Sequence, residues 1–180
     1  MRRRVHTPLK GTSADDEKLR LAIDSAWKIH ATLADWTGKV DTKASFCFAV
    51  ESAALATVTT LATNGRFFSN REHWLQGWVF GAGILLLILA SLSAAMVVRP
   101  RLRRKKMKSE WRENYIYFGH LQHWDPKLLE ETLRKSEPLP VLAAQLVNMS
   151  KIAWRKHLMV QISLTLGLLG LGFLGVSILI

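Results

Sequence analysis

Residues 74–98 read WLQGWVFGAGILLLILASLSAAMVV, twenty-five positions with no charged residue. The hydrocarbon core of a bilayer takes roughly 20 consecutive apolar residues to cross as a helix. This stretch, with its unbroken centre Ile84 to Leu89, therefore reads as a membrane span. It decides the fold class, because the same test then selects two more segments. One runs from about Ala44 to Thr63 and is the weakest, since it carries Glu51 and several threonines. The other runs from about Leu158 to Ile180.

The charges outside the spans set an orientation. Residues 1–43 hold nine Lys/Arg and residues 99–157 hold fourteen, whereas the connector 64–73 holds only Arg66 and Arg71. Basic residues concentrate on the cytosolic side. The sequence thus predicts a cytosolic tail and amphipathic helix over 1–43 and a first span over 44–63. A short periplasmic loop follows over 64–73, then a second span over 74–98. A basic cytosolic helical region occupies 99–157, and the third span, 158–180, carries the C-terminus to the periplasm. The expected architecture is an all-α membrane protein of three transmembrane helices extending into a small cytosolic helical bundle. Its expected location is the bacterial inner membrane. The opening Met1-Arg2-Arg3-Arg4 is basic, but no apolar run follows it, so no cleaved signal is read.

The basic run Arg99 to Lys108 follows directly on the second span, where such residues anchor anionic lipid. That reading is preferred to nucleic-acid binding. Trp74, Trp78 and Trp154 stand at span ends, as interfacial aromatic belts do. Cys47 is the chain's single cysteine, which excludes an intrachain disulfide and a cysteine-based zinc site.

Thr12 and Ser13 followed by Ala14-Asp15-Asp16-Glu17 form a helix-start signal. From there no proline occurs until Pro100. Helical periodicity puts Leu19, Ile23, Trp27, His30, Ala34, Thr37, Asp41, Ala44 and Phe48 on one stripe. His30 and Asp41 interrupt its apolar character, and Asp41 on a buried face needs a partner or a ligand. Glu51, deeper in the same helix, is an acid inside a span and is expected to face protein or water, with a pore or helix-contact role. The second span is expected to continue as helix through Trp111 to Phe118, with Met107, Trp111, Tyr115 and Phe118 on one core face and Gly119 as terminator. Asp125-Pro126 then starts a short helix to about Lys135. After Pro138 and Pro140 a last helix, presenting Leu142, Gln145, Leu146, Met149, Ile152 and Ala153, enters the third span.

No Gly-rich phosphate loop, no HExxH pattern and no activated-serine motif occurs, so no catalytic residue is assigned and no enzyme is expected. His120 and His123 lack acidic or cysteine co-ligands, and no metal or cofactor is expected. The residues do compose a candidate small-anion pocket. Asn114, Tyr115, Tyr117 and His120 offer an amide, ring faces and an imidazole, while Arg112, Arg155 and Lys156 offer cations for phosphate.

The stretches Asp41-Thr42-Lys43-Ala44, Tyr115-Ile116-Tyr117-Phe118-Gly119-His120 with His123-Trp124-Asp125-Pro126, and Ser150-Lys151-Ile152-Ala153-Trp154-Arg155-Lys156-His157 resemble the transmembrane effectors of Pycsar anti-phage defence. With the order of the spans, the likeness covers roughly Ala22 to the C-terminus. It implies an effector that senses a cyclic pyrimidine mononucleotide, cCMP or cUMP, made by a partner pyrimidine nucleotide cyclase. Binding would then impair the inner membrane and abort the infection. Other effectors of this defence sense the messenger with a β-rich cyclic-nucleotide-binding domain, for which this chain has no room. The ligand site is therefore expected in the helical bundle, among His30, Asp41, Asn114, Tyr115, Tyr117, His120 and Arg155. The small-residue pairs Gly77/Gly81 and Ser163/Gly167 suit helix contacts in a homo-oligomer. The alternatives are a ligand-independent membrane toxin and a membrane scaffold binding a protein partner.

Overall fold

The computed structural model describes residues 13–63, 74–99 and 110–180. Thr12, Met107, the connector 64–73 and the basic run beyond Arg99 lie outside them. Five α-helices are described: α1 (Ser13–Thr63), α2 (Trp74–Val98), α3 (Phe118–Leu121), α4 (Pro126–Lys135) and α5 (Pro138–Leu179). A 3-10 turn, Trp111–Glu113, precedes α3, and there is no strand among the described residues. The chain divides into two compact units, Met1–Leu33 with Arg103–Asn148 and Ala34–Leu102 with Met149–Ile180.

The second unit contains the apolar parts of three helices that are long and apolar enough to cross a membrane. Its packing follows a strict alternation of three- and four-residue steps. On α1 the inward residues are Val40, Ala44, Cys47, Glu51, Ala54 and Val58; on α2 they are Phe80, Gly83, Leu87, Ala90, Ala94 and Val97. On α5 they are Ala153, Lys156, Val160, Ser163, Gly167, Gly170, Leu174 and Ser177. A mean step of 3.5 on every helix is the heptad pattern that keeps helices in contact through a left-handed supercoil.

Two apolar layers result. Val40, Ala44, Val97 and Val160 form one, with Met159 against it. Phe80, Leu87 and Leu174 form the other, joined by Ala54, Leu55, Val58, Ala62 and Ile84. These partners make α1 and α5 run in the same direction and α2 opposite.

Lipid tails are as apolar as leucine, so the hydrophobic effect does not drive such helices together; close backbone approach does. A Cβ at Gly170 would lie 3.0 Å from the carbonyl oxygen of Gly83 and 3.1 Å from the backbone nitrogen of Leu87, and a Cβ at Gly83 would lie 2.8 Å from Leu174 Cγ. The α2–α5 contact therefore requires glycine at both positions. By contrast Gly77, Gly81, Gly172 and Gly175 would meet nothing within 4 Å. Of the expected small-residue pairs, Ser163/Gly167 lies in the intramolecular seam and Gly77/Gly81 lies outside it.

The weak first span tolerates its threonines because their hydroxyls bond back along the helix. Thr57, Thr59 and Thr60 donate to the carbonyls of Ala53, Leu55 and Ala56 at 2.8–2.9 Å. These three hydroxyls are thereby matched within the helix.

Three expectations need correction. The buried stripe on α1 is displaced from the one predicted: Ala26 and Leu33 are buried, while Trp27 is 44% and Phe48 43% exposed. The predicted stripe alternates three- and four-residue steps much as the seam does, but it runs one position late at Trp27, Ala34, Asp41 and Phe48 relative to Ala26, Leu33, Val40 and Cys47, and coincides with the seam at Ala44. Ile152, expected inward on α5, is also exposed. Finally, α2 does not run on to Phe118. It ends at Val98, before Pro100, which disfavours helix at the residue before it, and Asn114 is extended (φ −134°, ψ 112°). Gly119 consequently sits inside α3 instead of terminating a long helix, and Phe118 is 65% exposed instead of core.

The helix start after Asp125 follows the sequence, whereas the last helix begins at Pro138 itself and takes in both prolines expected to precede it. Asp125 accepts from the backbone N–H groups of Lys127 and Leu128 at 3.0 and 3.2 Å, with Pro126 at the first helical position. Pro138 and Pro140 both fall in the first turn of α5, where no backbone N–H is needed.

Candidate functional site

Between the two apolar layers of the second unit lies a polar one. Glu51 on α1 is 6% exposed, Ser91 on α2 8% and Ser163 on α5 fully buried. Each takes a seam position or its neighbour, so the heptad phase alone turns all three inward. Ser163 Oγ donates to Glu51 Oε1 at 2.7 Å. Gly167, one turn further along α5, leaves the space for the carboxyl: a Cβ there would lie 3.1 Å from the same Oε1. Ser91 is near enough to interact with the carboxyl, yet its hydroxyl and Glu51 Oε2 have no hydrogen-bond partner among the described residues. A carboxyl group is thus held inside the protein at span level, with Ser163 bonded to one oxygen and Ser91 beside it. Cys47, one turn before Glu51, is buried with a free thiol.

At the charged end of the same unit, Asp41 meets Lys156. The ammonium lies 2.6 and 2.8 Å from the two carboxylate oxygens, tying α1 to α5. The side chains are 24% (Lys156) and 40% (Asp41) exposed. This supplies the partner that a carboxylate on an inward face requires. The sequence marks Lys156 only as a cation that could meet a phosphate, not as the partner of Asp41; the cue available for the pairing is its place on the α5 stripe, three residues after Ala153. Arg155, its neighbour, is exposed.

The other predicted site residues lie in the first unit. Trp124 organises two of them, Asn114 and Tyr115. Its ring stands edge-on to Trp111 (centroids 5.2 Å apart, 87°) and to Tyr115 (6.4 Å, 86°). Its Nε1 donates to the carbonyl of Asn114 at 3.3 Å. The Asn114 amide nitrogen donates to the carbonyl of Glu110 at 3.0 Å. Tyr115 is buried, and its hydroxyl is bonded to Ser136 Oγ at 3.3 Å. Asn114 and Tyr115 are therefore fastened into the frame of the unit. Tyr117 and His120 remain half-buried and face each other as a T-shaped pair at 5.5 Å, with the Phe118 ring 4.5 Å from that of Tyr117. His30, on α1 in the same unit, is half-buried and stacks edge-on with Trp27 at 5.5 Å. The Tyr117, Phe118 and His120 grouping thus presents ring faces beside an imidazole.

No group of three or more His, Cys, Asp or Glu side chains arranged to hold a metal ion occurs among the described residues. Neither a curated protein nor a solved structure matches the chain. A family model described as "Pycsar effector protein domain" matches residues 25–180, covering most of the aromatic unit and the whole three-helix seam. On that match, the chain belongs to the Pycsar effector family of anti-phage defence.

Proposed function

We propose that this effector senses a cyclic pyrimidine mononucleotide, cCMP or cUMP, made by a partner cyclase, and then impairs the bacterial inner membrane so that infection aborts. The reading is carried by the extent of the family match, which takes in ring-rich and membrane-spanning parts together. The sensing site is assigned to the first unit. Tyr117 and His120 offer ring faces and a hydrogen bond to the base, with His30 as a further imidazole; Asn114 and Tyr115 hold the segment in place. Asp41 and Arg155, also candidates by sequence, take other roles: Asp41 holds Lys156, and Arg155 stands on an exposed face. The N-terminus and the 99–157 region are assigned to the cytosol and the C-terminus to the periplasm, following the bias of basic residues.

The membrane step is assigned to the layer around Glu51. In the closed seam this carboxyl faces protein, so it can line a water path only after α1, α2 and α5 rearrange, within one chain or in a homo-oligomer. A messenger that binds the rearranged state better shifts the population toward it. Moving the ratio from 1:99 to 99:1 takes roughly 5.5 kcal/mol of differential affinity.

The test is thermal stabilisation of the purified chain in detergent by cCMP, cUMP, cAMP and cGMP. Binding raises apparent stability by about 2.7 kcal/mol at a hundredfold excess over Kd. A shift with one pyrimidine nucleotide, lost in Tyr117→Ala or His120→Ala, is expected. No shift with any of the four would favour a ligand-independent membrane toxin or a scaffold.

A further inference from the structure

The exposed side of α5 just before its span carries a feature that the sensing and membrane steps leave unused. Ser150, Lys151, Trp154 and Arg155 line an open pocket of about 340 Å³. All four belong to the second unit and point away from the seam, whose positions here are Ala153 and Lys156. Trp154 is 75% exposed, and the apolar run from Leu158 begins one turn later. The pocket therefore lies at the depth where a span meets the headgroup layer, and indole rings settle in that layer.

The charges are arranged for an anion. Lys151 and Arg155 are four residues apart on one face, where like charges repel on a bare helix. Lys156, the next cation, is held by Asp41, whereas Lys151 and Arg155 make no ion pair among the described residues. A single negative charge placed between them relieves their repulsion. A guanidinium presents two N–H groups to two phosphate oxygens, and an ammonium adds a point charge beside them.

We propose that Lys151, Trp154 and Arg155, with Ser150, form a binding site for the phosphodiester headgroup of an anionic phospholipid at the charged end of α5. Zwitterionic headgroups fit worse, because their own cation faces Lys151 and Arg155. The site ties the start of the third span to the composition of the leaflet. A cyclic nucleotide is also a phosphodiester monoanion, so the experiment must separate the two sources.

Full-length protein in detergent micelles is titrated with brominated-chain phosphatidylglycerol or brominated-chain phosphatidylcholine while tryptophan emission is followed. The Trp154 contribution is taken as the difference from Trp154→Phe. The expected result is half-maximal quenching of Trp154 at about a tenfold lower mole fraction of phosphatidylglycerol, with the ratio falling to about one in Lys151→Gln/Arg155→Gln. Lys39→Gln, whose lysine is already paired with Asp35 at 2.7 Å, should keep the preference. Equal quenching by both lipids in the unmodified protein would overturn the proposal, as would a preference that survives the double substitution. Displacement of the brominated phosphatidylglycerol by cCMP or cUMP at a few equivalents would also overturn it, by making the soluble phosphodiester the occupant. The substituted side chains are exposed, and an unchanged far-UV spectrum confirms that each variant is folded.

Discussion

Replacing Gly170 by Ala isolates the close approach that holds α2 to α5. The new Cβ would lie 3.0 Å from the Gly83 carbonyl oxygen, 3.0 Å from Leu87 Cγ and 3.1 Å from the Leu87 backbone nitrogen. Two of these neighbours are backbone and cannot turn aside, and comfortable contact needs roughly 3.5 Å or more. The helices must then separate by about half an ångström, which forfeits roughly a quarter of the dispersion energy of the contacts around it. Overpacking of this kind costs about 1–3 kcal/mol.

Alanine also improves helix propensity by about 0.8–1 kcal/mol over glycine, a gain that would mask part of the loss. Gly172→Ala cancels that term. It lies two residues further on the same helix, and its Cβ would meet nothing within 4 Å. The difference between the two variants should therefore be about 1–3 kcal/mol, or roughly 5- to 150-fold in the folded-to-unfolded ratio. Equilibrium unfolding in mixed micelles of rising denaturing-detergent fraction, followed by far-UV circular dichroism, measures it. If Gly170→Ala and Gly172→Ala unfold within about 0.5 kcal/mol of each other, smaller than the expected packing cost, the close-approach argument is wrong.

Ser163→Ala removes the donor to Glu51 Oε1 and should destabilise by about 1–3 kcal/mol in the same assay. Glu51→Leu should be milder than Ser163→Ala, since an apolar side chain needs no partner; the reverse order would refute the buried polar layer. Asp41→Asn and Lys156→Met should each cost about 0.5–1 kcal/mol, small because the pair is partly exposed. The exchange Asp41→Lys/Lys156→Asp should recover most of the loss, and a double-mutant cycle with no coupling would show that the pair contributes nothing.

Some of this protein is legible in the residue order alone. Three apolar segments of bilayer length, a proline after Asp125 and prolines opening the last helix determine the all-α membrane class and most helix starts. They act locally, through chain length in lipid and backbone N–H groups that proline lacks. The break after α2 was also written locally, in Pro100, but the periodic pattern of Trp111, Tyr115 and Phe118 masked it. The ring cluster around Trp124 depends on an extended Asn114 that no short-range rule announces.

The seam was a different matter. In a soluble helix, the apolar face marks the inside. In a span, the lipid side is equally apolar, so hydrophobicity carries no phase, and Phe48 falls on a predicted inward stripe at a site that the fold leaves exposed. What distinguishes the inside here is size and polarity, which act only once another helix is present. Gly83 and Gly170 matter because each faces the other's backbone, while Gly77 and Gly172 face open space. The acids follow the same logic. The sequence determined that Asp41 and Glu51 each needed a partner; the tertiary structure decided that Lys156 and Ser163 supply it, because residues 115 and 112 positions apart meet only when α1 and α5 pack side by side.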